Sequence, residues 1–286
     1  LIHARGLFEH CGLLFYLELA SEETYIMTSQ SVDNVAQREN QLQNWNNFCR
    51  YHVGDWYGIW TKYSPEGHSI DSFKCVRSFH LSEDSSQITQ QNYYTYSDGK
   101  TELQSAGPYT SAGLSFNGHH FVVLFLDNSF SWGSTKVTNA DAQLFCETGF
   151  THGNRRMSLS AIYKKSGELQ HMRAISEQLD SFNEALPAAG VIQPDGVWQG
   201  TVKQITPDLV TSSPEEIGWQ PLENECGNNQ VFHFPGGSIS CPLRIESNTV
   251  LDLIVDWQAA PNKLFRGIRH FDNSELSRFL LQVYES

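Results

Sequence analysis

Glu147 stands in Leu144-Phe145-Cys146-Glu147-Thr148-Gly149-Phe150, a carboxylate set into a run of large apolar side chains. Burial disfavours the charged form of a carboxyl group, so Glu147 is the candidate to hand a proton to a bound conjugated molecule. Its alternative role is an ion pair with Arg155 or Arg156 across neighbouring strands, which contributes little where it is exposed. Eleven histidines raise the question of metal binding. The densest pair, His119-His120, is adjacent in sequence, and neighbours on a strand point to opposite faces, so no metal is expected there. Asn117-Gly118 just before the pair reads as a turn, and His152 and His171 are isolated along the chain. Gly237-Ser-Ile-Ser-Cys241 lacks the second glycine of a nucleophile elbow, and no phosphate-cradling glycine loop is present. With hydrolysis and nucleotide chemistry set aside, binding by aromatic side chains comes forward. Trp56, Trp60, Tyr94, Phe125, Trp132 and Phe145 fall on predicted strands, and Trp56 and Trp60 share a face by parity.

To position those rings the chain must form sheets. Charged residues make up 18% and aromatic residues 12% of the 286, a balance that suits short strands and tight turns better than long surface helices. A net charge of −13 argues against phosphate backbones and anionic membrane surfaces as partners. Six cysteines lie scattered without a CxxC pair, which reads as reduced thiols in a reducing compartment. Cys11-Gly-Leu-Leu-Phe-Tyr-Leu17 is too short to span a bilayer, and Met27 offers an alternative translation start that would leave residues 1–26 upstream. Residues 1–32 are assigned to an N-terminal extension that need not be ordered.

From Asp33 to about His52, Val35, Leu42, Trp45, Phe48 and Cys49 fall on helical spacing. After Gly54 the pattern changes to strands: Trp56–Tyr63, Ser72–Leu81 and Gln87–Tyr96, then Asp98-Gly99 as a hairpin turn that needs positive φ. Further runs at Phe121–Leu126, Ser129–Trp132, Gln143–Phe150, Arg155–Tyr163 and Glu168–Leu179 bring the series to about nine strands, the pattern of an up-and-down barrel. Residues 183–194, rich in alanine, glycine and proline, read as a linker between a module at 33–182 and a smaller one at 195–286. In the second, Leu251, Leu253, Val255 and Trp257 alternate with Asp252 and Asp256.

A duplication ties the modules together. Gly54-Asp-Trp-Tyr-Gly58 with Pro65 recurs as Gly196-Val-Trp-Gln-Gly200 with Pro207. Arg156 precedes Ser166-Gly-Glu-Leu169 and Glu177, while Arg266 and Arg269 precede Asn273-Ser-Glu-Leu276 and Glu285. If first and last strands of a barrel are neighbours, Trp56 meets Arg156, and Trp198 meets Arg266 or Arg269, closing each barrel with a guanidinium over an indole.

Gly54-x-Trp56 after a short helix, with Arg155-Arg156 near the final hairpin, resembles the lipocalin or calycin superfamily. Asn128-Ser-Phe-Ser-Trp-Gly133, Glu147-Thr-Gly-Phe-Thr-His152, Ser240-Cys-Pro-Leu243 and Val255-Asp-Trp257 look like a lipocalin-like family of cyanobacteria and plastid-bearing algae or plants. That family is distantly similar to the S-type lyases that attach bilins to phycobiliproteins. The resemblance implies an all-β chain of two antiparallel up-and-down barrels in tandem, the second smaller, led by an amphipathic helix. It also implies a bulky hydrophobic ligand, a bilin, haem-like tetrapyrrole or carotenoid, held among the aromatic residues with Arg155 or Arg156 pairing any propionate. No cofactor is essential on this reading. A bilin lyase or isomerase using Glu147 is the alternative, and a non-binding scaffold the second. The expected setting is a cyanobacterial cytosol or plastid stroma, the chain a monomer or homodimer, with a phycobiliprotein subunit as a candidate partner.

Overall fold

Gly54 takes a φ of +131° where the N-terminal helix gives way to the first strand, a conformation that side-chain-bearing residues rarely adopt. A Cβ there would also meet the Leu179 side chain at 2.8 Å, so this glycine sets the sharp passage from helix to sheet. The computed structural model describes residues 35–116, 121–137, 144–182, 197–225, 227–246 and 250–286. The proposed extension at 1–32, the linker at 183–194, the His119-His120 pair, Cys11 and Cys226 lie outside those residues. Cys49, Cys75, Cys146 and Cys241 are free thiols.

Helix α1 (residues 35–52) leads into β1 (Gly54–Tyr63), β2 (Ser69–Leu81), β3 (Ile88–Thr95), β4 (Thr101–Tyr109) and the two-residue β5 (Ser115–Phe116). Then come β6 (Phe121–Leu126), β7 (Ser129–Ser134), β8 (Leu144–His152), β9 (Arg155–Tyr163) and β10 (Leu169–Leu179). These form one antiparallel sheet in the order β4-β3-β2-β1-β10-β9-β8-β7-β6-β5. First and last strands therefore pair at its centre, Trp56 opposite Leu179 and Trp60 opposite Ile175. The sheet curls strongly. The Tyr109 ring at the end of β4 lies 5.8 Å from that of Trp132 on β7, although six strands stand between them in the sheet order.

The two edges, β4 and β5, are handled differently. Short β5 leaves most of β6 without a partner strand on the edge away from β7, and α1 supplies the missing hydrogen bonds: Asn44 Nδ2 donates to the Val123 carbonyl and Asn44 Oδ1 accepts from the Phe125 amide. Asn47 Nδ2 donates to the Phe125 carbonyl. Unpaired backbone at a sheet edge is costly to bury and hazardous to expose, so two asparagines stand in for a strand. This explains why the apolar stripe predicted for α1 is narrower in fact. Trp45 and Phe48 are buried, but Val35 and Leu42 remain more than half exposed because the face turned to β6 is polar.

The second, smaller sheet holds β11 (Gln199–Ile205), β12 (Glu215–Gly218), β13 (Gln230–Phe234), β14 (Gly237–Cys241), β15 (Leu251–Ala260), β16 (Lys263–Asp272) and β17 (Glu275–Glu285), with the one-turn α2 (Leu222–Glu225) before β13. Its order is β12-β11-β17-β16-β15-β14-β13, again antiparallel throughout. One face packs on the outer face of the first sheet to form a shared core, in which Phe150 stacks 5.7 Å from Phe265 and Tyr63 lies 4.1 Å from Phe234. The alternation of Leu251, Leu253, Val255 and Trp257 is what makes this face apolar. Among the described residues no helix is long and apolar enough to cross a membrane.

Candidate functional site

Strand parity sends Trp56, Gly58, Trp60 and Lys62 to the inner face of β1, beside inner Phe79, Arg77, Cys75 and Phe73 on β2. The inner space is layered along its length. At the α1 end a plug of rings fills it: Phe48 stacks on Phe125 at 4.4 Å and meets Phe79 edge-on at 5.4 Å. Trp56 Nε1 donates to the His52 carbonyl at 2.9 Å. The His52 ring is fully buried between Phe125 and Phe130. Burial, reinforced by the nearby Arg156 and Arg77 charges, holds its pKa well below the ordinary histidine value, so it is neutral at pH 7.

Next to the plug runs a belt of charge. Glu177 lies 3.4 Å from both Arg77 and Arg156, and Arg77 reaches Glu147 at 3.5 Å. Ser158 Oγ donates to Glu147 at 2.8 Å, and Trp60 Nε1 donates to Glu177 at 3.3 Å. The guanidiniums also sit over rings, Arg77 at 4.4 Å from Trp60 and Arg156 at 4.8, 5.3 and 5.7 Å from Phe130, Phe79 and Trp56. The two arginines differ electrostatically. Burial opposes the Arg77 charge, but Glu177 and Glu147 outweigh it and raise its pKa above the usual guanidinium value. Burial wins at Arg156, which faces Glu177 and is repelled by Arg77, and brings it down to about 10, still a cation at neutral pH.

Repeated glycines make room for this layer. At Gly58 a Cβ would collide with Glu177 of the belt, while at the repeated position in the second sheet a Cβ at Gly200 would collide with the Val283 carbonyl. Yet the belt is incompletely satisfied. Arg77 Nε, Arg156 Nε and one terminal nitrogen, Glu177 Oε2 and Ser160 Oγ are buried without an aligned hydrogen bond, since the 3.4 Å ion pairs do not point donor at acceptor. Buried polar atoms normally find partners, and here several exceptions are grouped in one layer.

Beyond the belt lies a second aromatic layer of Trp60, Phe73 and Tyr94, with Trp60 5.4 Å from Tyr94 and Phe73 5.6 Å from Tyr94. Phe121 and Phe145 stack at 5.8 Å on the far wall. Burial pushes the Cys75 thiol in this layer up to about 12, which makes it a packing residue and not a nucleophile. At the end away from α1, Ser69 to Ser72 of β2 are exposed, so this end is the one turned to solvent.

The structure divides the residues singled out by sequence. Trp60 and Tyr94 lie in the layer beyond the belt and Phe145 stacks on Phe121, whereas Trp56, Phe125 and Trp132 belong to the plug or pack against it. Glu147 and Arg156 are in the belt, where Glu147 accepts a hydrogen bond from the Ser158 hydroxyl and pairs with the Arg77 guanidinium. Arg155 points to the opposite face, its guanidinium 5.8 Å from Trp257 and donating to the Ala259 carbonyl, so it is not available to an inner ligand. In the second sheet Trp198 packs with Leu264 and Tyr284, and Arg266 on the same face is clamped by Asp256 at 2.7 Å and Glu225 at 2.6 Å. Arg269 does not join them. Three residues from Arg266, it must face the other way on a strand, and it bridges the sheets through Ser131 Oγ and the carbonyls of Gly133 and Ser134. Among the described residues no group of three or more His, Cys, Asp or Glu side chains is placed to hold a metal ion.

The stretch that builds this layered interior also carries a family signature. Residues 41–182 match the N-terminal model of DUF3598, a domain of unknown function. The DUF3598-like stretch thus runs from the asparagine-bearing part of α1 to the end of the first sheet. A crystal structure of a DUF3598-family protein of unknown function from Nostoc punctiforme is similar with a TM-score of 0.64 and 20% identity, covering 85% of this chain and 98% of the other. At that identity the likeness is one of fold, extending over both sheets. No curated protein matches the chain. Sequence reasoning missed Arg77, Glu177 and His52 of the DUF3598-like interior, although Arg77 falls at alternate spacing with Phe73, Cys75 and Phe79 on one strand face.

Proposed function

We propose that the first sheet binds a bulky, largely apolar small molecule in its inner space, admitted at the end away from α1. A tetrapyrrole or a carotenoid is the class in view. The reading is carried by the belt: charged and hydroxyl groups, nine-tenths or more buried, with unaligned donors and acceptors directly beneath an aromatic layer. Ligand sites of small-molecule binders are mostly apolar with a few well-placed polar groups, and this arrangement has both. The plug of rings at the α1 end gives such a site a closed floor. Tryptophan supplies the assay, since Trp60 lies in that aromatic layer and energy transfer to a bound conjugated molecule quenches it. Titration of the full-length protein with biliverdin, haemin and canthaxanthin, followed by native mass spectrometry, is expected to give a saturable one-to-one complex with at least one of them. Absence of both quenching and a mass shift for all three overturns the reading.

A further inference from the structure

Like charges placed directly opposite one another on a sheet are destabilising, yet Lys62 on β1 and Arg173 on β10 are register partners on the inner face at the open end. Arg173 lies over the far side of the aromatic layer, 5.5 Å from the Trp60 ring. Among the described residues no carboxylate lies within ion-pair distance of either cation. Asp71 stands opposite Lys62 on β2 but is exposed and turns Oδ1 to the Ser72 amide, and Glu102 on β4 is bonded to Tyr96 and Gln104. Two further polar groups complete the cluster from adjacent strands. Ser160 on β9 is the register partner of Arg173, and its buried Oγ has no partner. His171, 9% exposed and two residues along β10 from Arg173, has both ring nitrogens buried and unpartnered.

We infer that Lys62, Ser160, His171 and Arg173 form the anchor for a carboxylate group carried by the ligand of the first sheet. This rests on the reading of that sheet as a small-molecule site. Three adjacent strands, β1, β10 and β9, present hydrogen-bond donors of one character with no acid among them, and a bound carboxylate supplies the missing counter-charge. Arg156, the nearer candidate by sequence, already faces Glu177, and Arg155 lies on the opposite face. An acid anchored at Arg173 leaves the apolar body of the ligand against Trp60 and Tyr94, with the belt at its far end.

The test compares ligands that share a body and differ only at the acid: retinoic acid with its methyl ester, and biliverdin with its dimethyl ester. Each is titrated by tryptophan quenching into the wild type, Arg173→Gln and Lys62→Gln. The wild type is expected to prefer the acids, and each substitution to weaken acid binding by about tenfold while leaving the esters unchanged. Equal binding of acid and ester by the wild type overturns the anchor, as does an acid preference that survives both substitutions. So does stabilisation by inorganic phosphate that depends on Arg173 without any acid preference, which assigns the cluster to a free anion. Failure of all four ligands to bind overturns the anchor, and the small-molecule reading falls with it only where haemin and canthaxanthin fail as well.

Discussion

Arg77 on β2 and Glu147 on β8 lie 3.5 Å apart although β1, β10 and β9 stand between their strands in the sheet. The contact exists only because the sheet curls, so the belt both reports the curvature and fixes it. Taking charges out of water is expensive, and a buried pair repays that cost only while both partners remain.

Removal of one belt charge is therefore expected to be severe. Glu177→Gln leaves Arg77 with Glu147 alone and Arg156 without its nearest carboxylate, a loss of about 3–5 kcal/mol. The double substitution Arg156→Met with Glu177→Met is expected to cost clearly less than the sum of the two single ones. Urea unfolding followed by tryptophan fluorescence measures all of these. Strict additivity would show that the charges act independently.

The plug makes a contrasting prediction for the two ends of α1. Phe48 is 2% exposed and touches Phe79, Tyr109 and Phe125, so Phe48→Ala opens a cavity worth about 3–5 kcal/mol. Leu42→Ala, at a site 54% exposed, is expected to stay within about 0.5 kcal/mol of wild type. Thermal unfolding of the two variants separates them, and a large loss at Leu42 would contradict the placement of the helix.

Asn44 offers a sharper test of the same docking. It satisfies one amide and one carbonyl of β6, and Asn44→Ala leaves both buried groups without a partner, about 1–3 kcal/mol for each group so stranded. The local readout is hydrogen exchange at the Phe125 amide, expected to accelerate far more than at amides of β9. Unchanged protection of Phe125 would mean that another group caps the strand.

The hairpin series of the first sheet is legible in the residues because its strands alternate and its turns carry their own chemistry, as at Asp98-Gly99, where Gly99 has a φ of +83°. Parity is also where that reading fell short. Arg155 and Arg156 are neighbours and cannot share a face, and Arg266 and Arg269 are an odd number apart, so parity alone allows only one of each pair the role left open between them. Arg77 and Glu177 hide in plain alternation, since a charged residue on an apolar face looks like a solvated surface group until its strand is seen to curl over. The second sheet shows a strong pattern only around Val250 to Trp257, because β12, β13 and β14 are four or five residues long. Asn44 could not have been assigned inward by amphipathicity. Its reason is the shortness of β5, a fact about another element.

Histidine burial gives the fold an acid weakness with a defined window. His52 is fully buried, and its pKa is depressed first by burial and then by Arg156 and Arg77. His171 is brought down to about 4, again first by burial and then by Lys62 and Arg173. In each case the unfolded imidazole takes its proton near 6.5, the ordinary value, while the folded one refuses it until much lower pH. Between those limits the unfolded state binds more protons, so the stabilisation is full above pH 6.5 and is lost as pH falls, by up to about 1.4 kcal/mol per pH unit for each group. The His171 contribution levels off below about 4, and that of His52 continues further down. Carboxylates, with ordinary values of 3.8 and 4.5, enter only at the bottom of this range. Urea midpoints at pH 7.5, 6.5 and 5.5 are expected to be level across the first step and to drop across the second. His52→Leu and His171→Leu should each reduce that drop, and the double substitution should nearly abolish it. A midpoint that stays flat between pH 6.5 and 5.5 in the wild type would mean that both rings accept protons in the folded chain.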